Sequence, residues 1–220
     1  MFTGFTEDTY RFLWELAFHN NREFFEQNRE RYKRVLYAPM RELLEALAPT
    51  VERIDARLNT RPMGTISRIN RDTRYTKDQS PYRDHAWLGF KLPGQFTSEC
   101  FTLYFEIDRE GYGYGMGMYS PEPAMMQSIR SRILARPQQF LALVNDQAFA
   151  ETFSLEGERY KRPKFTEGDP EILPYLNLRR MTYCFYSREQ SKTLRAALLD
   201  EVRVAFERME PVYRFVMGLE

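Results

Sequence analysis

At 220 residues, 43% of them hydrophobic, the chain is long enough to bury a core of its own. A formal net charge of +1 argues against a protein that coats nucleic acid or an acidic membrane with its whole surface, and leaves room only for a local basic patch. No apolar run approaches a membrane span and no secretory leader is readable. Cys100 and Cys184, in separate strand-like runs, fit reduced core thiols and a cytoplasmic protein.

Helical patterns come first. Thr6 is placed to cap a helix with Tyr10, Leu13, Trp14 and Ala17 on one face. Asn20 followed by Glu23 reads as a capping box opening a second helix, lined by Phe24, Phe25, Asn28, Tyr32 and Val35. Pro39 suits the first turn of a third, in which Met40, Leu43, Leu44, Leu47, Val51 and Ile54 keep helical spacing; Pro49 should kink or split it.

After residue 59 the period changes. Thr65 to Asn70 reads as a short edge strand, Ala86 to Leu92 as the next, with a turn at Pro93-Gly94. Phe101, Leu103, Phe105 and Ile107 alternate with polar neighbours, and Asp108 to Gly111 makes a hairpin turn. In the returning strand Gly111, Gly113, Gly115 and Gly117 alternate with Tyr112, Tyr114, Met116 and Met118, leaving one face bare. Such a face implies that something flat or bulky lies on the backbone, a packed helix or a ligand. Ser120-Pro121 opens the next helix, with Met125, Met126, Ile129 and Ile133 inward, and a shorter one follows through Phe140, Leu141 and Val144. Asp169-Pro170 starts a brief helix, Met181 to Ser187 reads as strand, and Ser191 opens a last long helix through Met209. With no internal repeat and no low-complexity linker, the expectation is one α+β domain over 1–220. Its helical part covers 1–58, and a mainly antiparallel sheet with helices packed on it fills 59–220.

Where helix gives way to sheet lies the stretch Ser67 to Arg83, too charged for a core strand. Arg68, Arg71 and Arg74 offer planar forks that match phosphate or carboxylate with paired hydrogen bonds, Lys77 and Arg83 add charge, and Tyr82 adds a hydroxyl. Asp72 and Asp78 either hold those forks toward a ligand or neutralise them in an internal clamp, and the sequence leaves both readings standing. A second basic run, Lys161-Arg162-Pro163-Lys164, follows in loop context.

The run Arg68-Ile69-Asn70-Arg71-Asp72-Thr73-Arg74-Tyr75-Thr76-Lys77-Asp78-Gln79-Ser80-Pro81-Tyr82-Arg83 resembles the signature of the bacterial domain-of-unknown-function family 2461. Asn20-Asn21-Arg22-Glu23-Phe24-Phe25, the turn Gly115 to Pro121 and the Lys161 to Lys164 run resemble its other segments. Phe24 stands where the family pattern has tryptophan, and Tyr75, Gln79 and Arg83 where it has Phe, Lys and Lys; Gln79 removes a cation. The resemblance implies an intracellular, single-domain α+β protein and no particular activity.

The reading drawn from the residues is a site for a small phosphate- or carboxylate-bearing ligand, formed by Arg68, Arg71, Asp72, Arg74, Lys77, Asp78, Tyr82, Arg83 and Lys161. The alternatives are a non-catalytic domain whose basic loop meets an acidic partner, and a metal-dependent hydrolase. Nucleic acid would use the cations on phosphates and Tyr75, Tyr82 or Tyr112 on bases, but the near-neutral total charge argues against extended binding. Asp72, Asp78, Glu99 and Glu106 have no diagnostic metal spacing, His19 and His85 lie in no zinc pattern, and a strand cysteine among aromatics is normally inert. No metal, cofactor or oligomeric state is assigned.

Overall fold

The computed structural model describes residues 1–74, 77–96 and 99–219. Helix α1 (Glu7–Phe18) buries Tyr10, Phe12, Leu13 and Leu16. The buried stripe is rotated from the expected one, so Trp14 stands 42% exposed with the Arg109 guanidinium 5.0 Å from its ring centre. Helix α2 (Arg22–Tyr32) is capped by Asn21, whose side chain accepts from the Phe24 N–H at 2.9 Å. The expected cap, Asn20, is engaged elsewhere: its amide donates to the Tyr82 carbonyl (2.9 Å) and its oxygen accepts from the Tyr82 N–H (3.0 Å). A π-helical turn (Lys33–Tyr37) joins α2 to α3 (Ala38–Ile54), which runs through Pro49 without being split. Its buried stripe, Met40 to Ile54, is the one the spacing predicts.

A single turn, α4 (Pro62–Thr65), leads to the charged stretch. Residues 65–70 form isolated bridges, Ile66 to Leu88 and Asn70 to Tyr82, rather than the expected strand. The sheet consists of β1 (His85–Phe90), β2 (Thr102–Asp108), β3 (Tyr112–Gly117), β4 (Ser154–Glu156) and β5 (Thr182–Ser187), in the order β1-β2-β3-β5-β4 and antiparallel at every pairing. The first three strands follow one another through short connections, whereas β5 returns from far along the chain to pair with β3. The helices between β3 and β5 are α5 (Pro123–Ala135), α6 (Pro137–Val144), α7 (Gln147–Thr152) and α8 (Leu173–Leu176). The sequence reading missed α7 and β4, each too short to show a period. The last long helix, α10 (Ala197–Met217), starts six residues later than Ser191 suggests, because α9 (Gln190–Thr193) is a separate turn. The fold is α+β, as the pattern predicts.

One face of the sheet carries the core. Leu88, Phe90, Leu103, Phe105, Ile107, Tyr112, Tyr114 and Met116 are buried there, with α10 packed on β3 and on α3, and α3 on β1. The glycine row looks the other way. Register puts Gly113 between Glu106 and Tyr186, and Gly115 between Tyr104 and Cys184. A Cβ built on Gly115 would lie 2.7 Å from the Tyr104 hydroxyl and closer still to the Tyr183 carbonyl. One on Gly113 would lie 3.2 Å from the Glu106 carboxylate and 3.3 Å from the Tyr186 ring. The bare positions therefore accommodate the protein's own neighbouring side chains, not a helix.

Candidate functional site

The charged stretch is tied down at both ends. Backbone bonds link Arg71 to Pro81 and Arg83 to Ile69, each at 2.8 Å, making a tight flap. Tyr82, 7% exposed, stacks on Phe25 with ring centres 4.2 Å apart while Asn20 holds its backbone. Its ring is thus part of the core.

Most of the forks in this flap already have partners. Arg71 pairs with Asp78. Arg74 pairs with Asp72 through two side-chain bonds of 2.9 and 2.7 Å, and the guanidinium holds the Asp72 carboxyl down at about 2. Arg83 donates to the carbonyls of Arg68 (2.8 Å) and Asn70 (2.5 Å) and lies 5.0 Å from the Trp87 ring centre. Desolvation, with Arg71 nearby, lowers its pKa. Arg68 and Lys77 are exposed and form no ion pair within the described residues. Tyr75 and Thr76 lie outside the described residues. What the flap's sequence presents as five cations is, in space, largely a set of internal pairs.

The second basic run is not brought to the first. The flap precedes His85, which pairs with Asp108 at one end of the sheet. Lys161 and Lys164 belong to the other end, where Gly117 pairs with Thr102 and Thr182. There a cleft of about 300 Å³ opens between the turn after β3 and the segments 158–164 and 179–180. Its lining includes Tyr119, Ser120, Tyr160, Lys164, Arg179 and Arg180. Lys161 and Arg162 are exposed beside it in sequence and line no part of it.

This wall is built with care for its polar groups. Arg130 of α5, 4% exposed, donates to the carbonyls of Leu176 (2.8 Å) and Leu178 (2.6 Å) and to the Tyr160 hydroxyl (3.1 Å). Asn177 accepts from the N–H groups of Lys164 (2.8 Å) and Phe165 (3.1 Å) and donates to the Phe165 carbonyl (2.8 Å). The basic turn is thereby fixed in place. On the opposite wall the Met118 N–H donates to the Met181 carbonyl at 3.1 Å, which sets Tyr119 beside Arg180.

The cleft's cations meet rings. The Lys164 ammonium lies 4.3 Å from the Tyr160 ring centre and the Arg180 guanidinium 4.9 Å from that of Tyr119. Neither has a carboxylate partner among the described residues; Arg179 does, pairing with Glu158 at 2.5 Å. Cation–π contact holds a charge without cancelling it. The sequence reading named Lys164 as part of a basic run but passed over Arg180, whose only signal was a pair of arginines before the last strand.

Among the described residues, no group of three or more His, Cys, Asp or Glu side chains is placed to hold a metal ion. Of the four acids weighed for a metal, Asp72, Asp78, Glu99 and Glu106, the first two face arginines. No helix among the described residues is long and apolar enough to cross a membrane.

Residues 8–215 match the family described as Conserved hypothetical protein (DUF2461). The match covers nearly the whole chain, and the chain belongs to that family. No curated protein matches the chain.

Proposed function

We propose that this family member binds a small phosphate- or carboxylate-bearing ligand, and that the ligand sits in the Lys164/Arg180 cleft rather than on the Arg-rich flap. The observation that carries the reading is the pairing just described: two cations held by tyrosine rings, neither paired with a carboxylate among the described residues, in a cleft of about 300 Å³ whose lining carboxylate, Glu158, is taken up by Arg179. That volume is at the lower end of the usual range for small-molecule pockets. An anion there would accept charge-assisted bonds from Lys164 and Arg180, with the Ser120 hydroxyl in the same lining. Two of the segments through which the sequence resembles the family, Gly115 to Pro121 and Lys161 to Lys164, contribute to this cleft. The reading also takes the protein to be cytoplasmic, in keeping with Cys100 and Cys184 both being free.

The test is thermal shift and calorimetry with inorganic phosphate and pyrophosphate. A ligand at a hundred times its dissociation constant stabilises by about 2.7 kcal/mol. Lys164→Ala and Arg180→Ala should each weaken pyrophosphate binding by about tenfold or more, the scale of one charge-assisted hydrogen bond. No stabilisation of the wild type by either anion, or full binding by both variants, would overturn the reading.

A further inference from the structure

Under the Lys164/Arg180 cleft lies a further cation that no acid offsets. Arg130 stands one turn after Met126 on α5; Met126 lines the cleft, and Arg130 is only 4% exposed. Its hydrogen-bond partners are all neutral: the Leu176 carbonyl, the Leu178 carbonyl and the Tyr160 hydroxyl. The rings of Tyr160 and Phe165 lie 5.5 and 5.9 Å from the guanidinium carbon. No carboxylate pairs with Arg130 among the described residues. Carbonyl dipoles offset a buried charge in part, and away from water the rest of its field is weakly screened.

Tyr160 connects that charge to the cleft. It belongs to the lining, holds the Lys164 ammonium 4.3 Å from its ring centre, and accepts from Arg130 at 3.1 Å through its hydroxyl oxygen. Arginine offers donors and no acceptor, so the Tyr160 proton has to point away from it. Among the described residues that proton has no acceptor. A hydroxyl whose oxygen already accepts from a guanidinium is also polarised into a stronger donor.

The charges set the class of ligand. Lys164, Arg179 and Arg180 line the cleft with one carboxylate, Glu158, which Arg179 takes up. With Arg130 beneath, Lys164 and Arg180 make three cations left without an acid. A carboxylate ligand answers them with a single charge, whereas a phosphate monoester carries close to two above about pH 6. We propose that this cleft selects a dianionic phosphate monoester over a carboxylate or other monoanion, with the Tyr160 hydroxyl, oriented by Arg130, donating to the phosphoryl group alongside Lys164 and Arg180. The inference rests on the anion reading of the same cleft and narrows it to one ligand class.

The probes are phenyl phosphate and phenyl sulfate, measured by calorimetry on the full chain; they share a shape and differ by one charge at pH 8. Phenyl phosphate should bind about tenfold or more tighter than phenyl sulfate there. At pH 5, where the phosphate ester holds its second proton, the ratio should fall toward one. Tyr160→Phe keeps the ring under Lys164 and leaves Arg130 its two carbonyl partners, so it should melt close to the wild type. It should weaken phenyl phosphate by about tenfold or more and phenyl sulfate by less. Equal binding of the two esters at pH 8 with Lys164→Ala weakening both, or pyrophosphate binding where phenyl phosphate does not, would overturn the selectivity and leave the anion site standing. A ratio unchanged in Tyr160→Phe would overturn it too. Failure of both esters and of pyrophosphate would remove the anion site itself, and this inference with it.

Discussion

Two basic regions lie at opposite ends of the sheet, and their cations meet different partners. In the Arg68 to Arg83 flap, Arg71 and Arg74 are met by Asp78 and Asp72 of the same loop, and Arg83 by backbone carbonyls. In the cleft, Lys164 and Arg180 rest on Tyr160 and Tyr119. A carboxylate in the same loop offsets an arginine's charge. An aromatic ring positions a cation and leaves its charge directed outward. The denser basic sequence is therefore the more internally paired one.

The largest effect that could break this comparison lies in the flap's anchor. Tyr82→Ala removes a ring packed on Phe25 and loosens the Asn20 clamp. We expect a loss of about 3–5 kcal/mol in urea denaturation, the usual cost of truncating a buried aromatic, with pyrophosphate affinity unchanged in the folded protein. A loss below about 1 kcal/mol would mean the flap is not held as described.

Glu106 offers the converse case, an anion without a cation, and its effect should be intermediate. Its folded pKa is raised above the unfolded value of 4.5. The folded state therefore bears the full penalty above that raised pKa and none below the unfolded one. Stability falls as pH rises through the window between them. Glu106→Gln should melt higher than the wild type at pH 8, and the difference should fade as the pH drops toward that of the unfolded carboxyl. At this chain length each kcal/mol corresponds to roughly 2–4 °C. A variant that melts lower at pH 8 would show that the carboxylate has a partner.

The smallest effect is at Asp72. Its folded pKa of about 2 lies below the unfolded 3.8, so the pairing with Arg74 contributes above 3.8 and is lost as pH falls through about 2. The pair is exposed, and salt screens it, so global stability should barely respond. The carboxyl resonance itself should titrate near 2 in the wild type and return toward 3.8 in Arg74→Ala.

How far the sequence revealed all this depended on the range of the interaction involved. The stripe of α3 and the alternation of β2 and β3 follow from local period, and both were legible. Asn20 was misread as a cap because its true partner, Tyr82, is 62 residues away. The glycine row announced that something crossed the strand. That its occupants were Tyr104 and Glu106 required the register of β2 against β3. The Lys164/Arg180 cleft joins the turn after β3 to residues near 160 and 180, and only the pairing of β5 with β3 brings these together. Arg180 was marked only by the arginine beside it, while Arg71 and Arg74 stood out in a run that also carries the acids they pair with.

The most direct test of the central claim is where an anion lands. Backbone amide shifts recorded during a pyrophosphate titration should move together at Tyr119, Ser120, Tyr160, Lys164 and Arg180, with Arg71 to Asp78 unmoved. Shifts concentrated in the Arg71 to Asp78 segment, with the Lys164 and Arg180 amides still, would contradict the account.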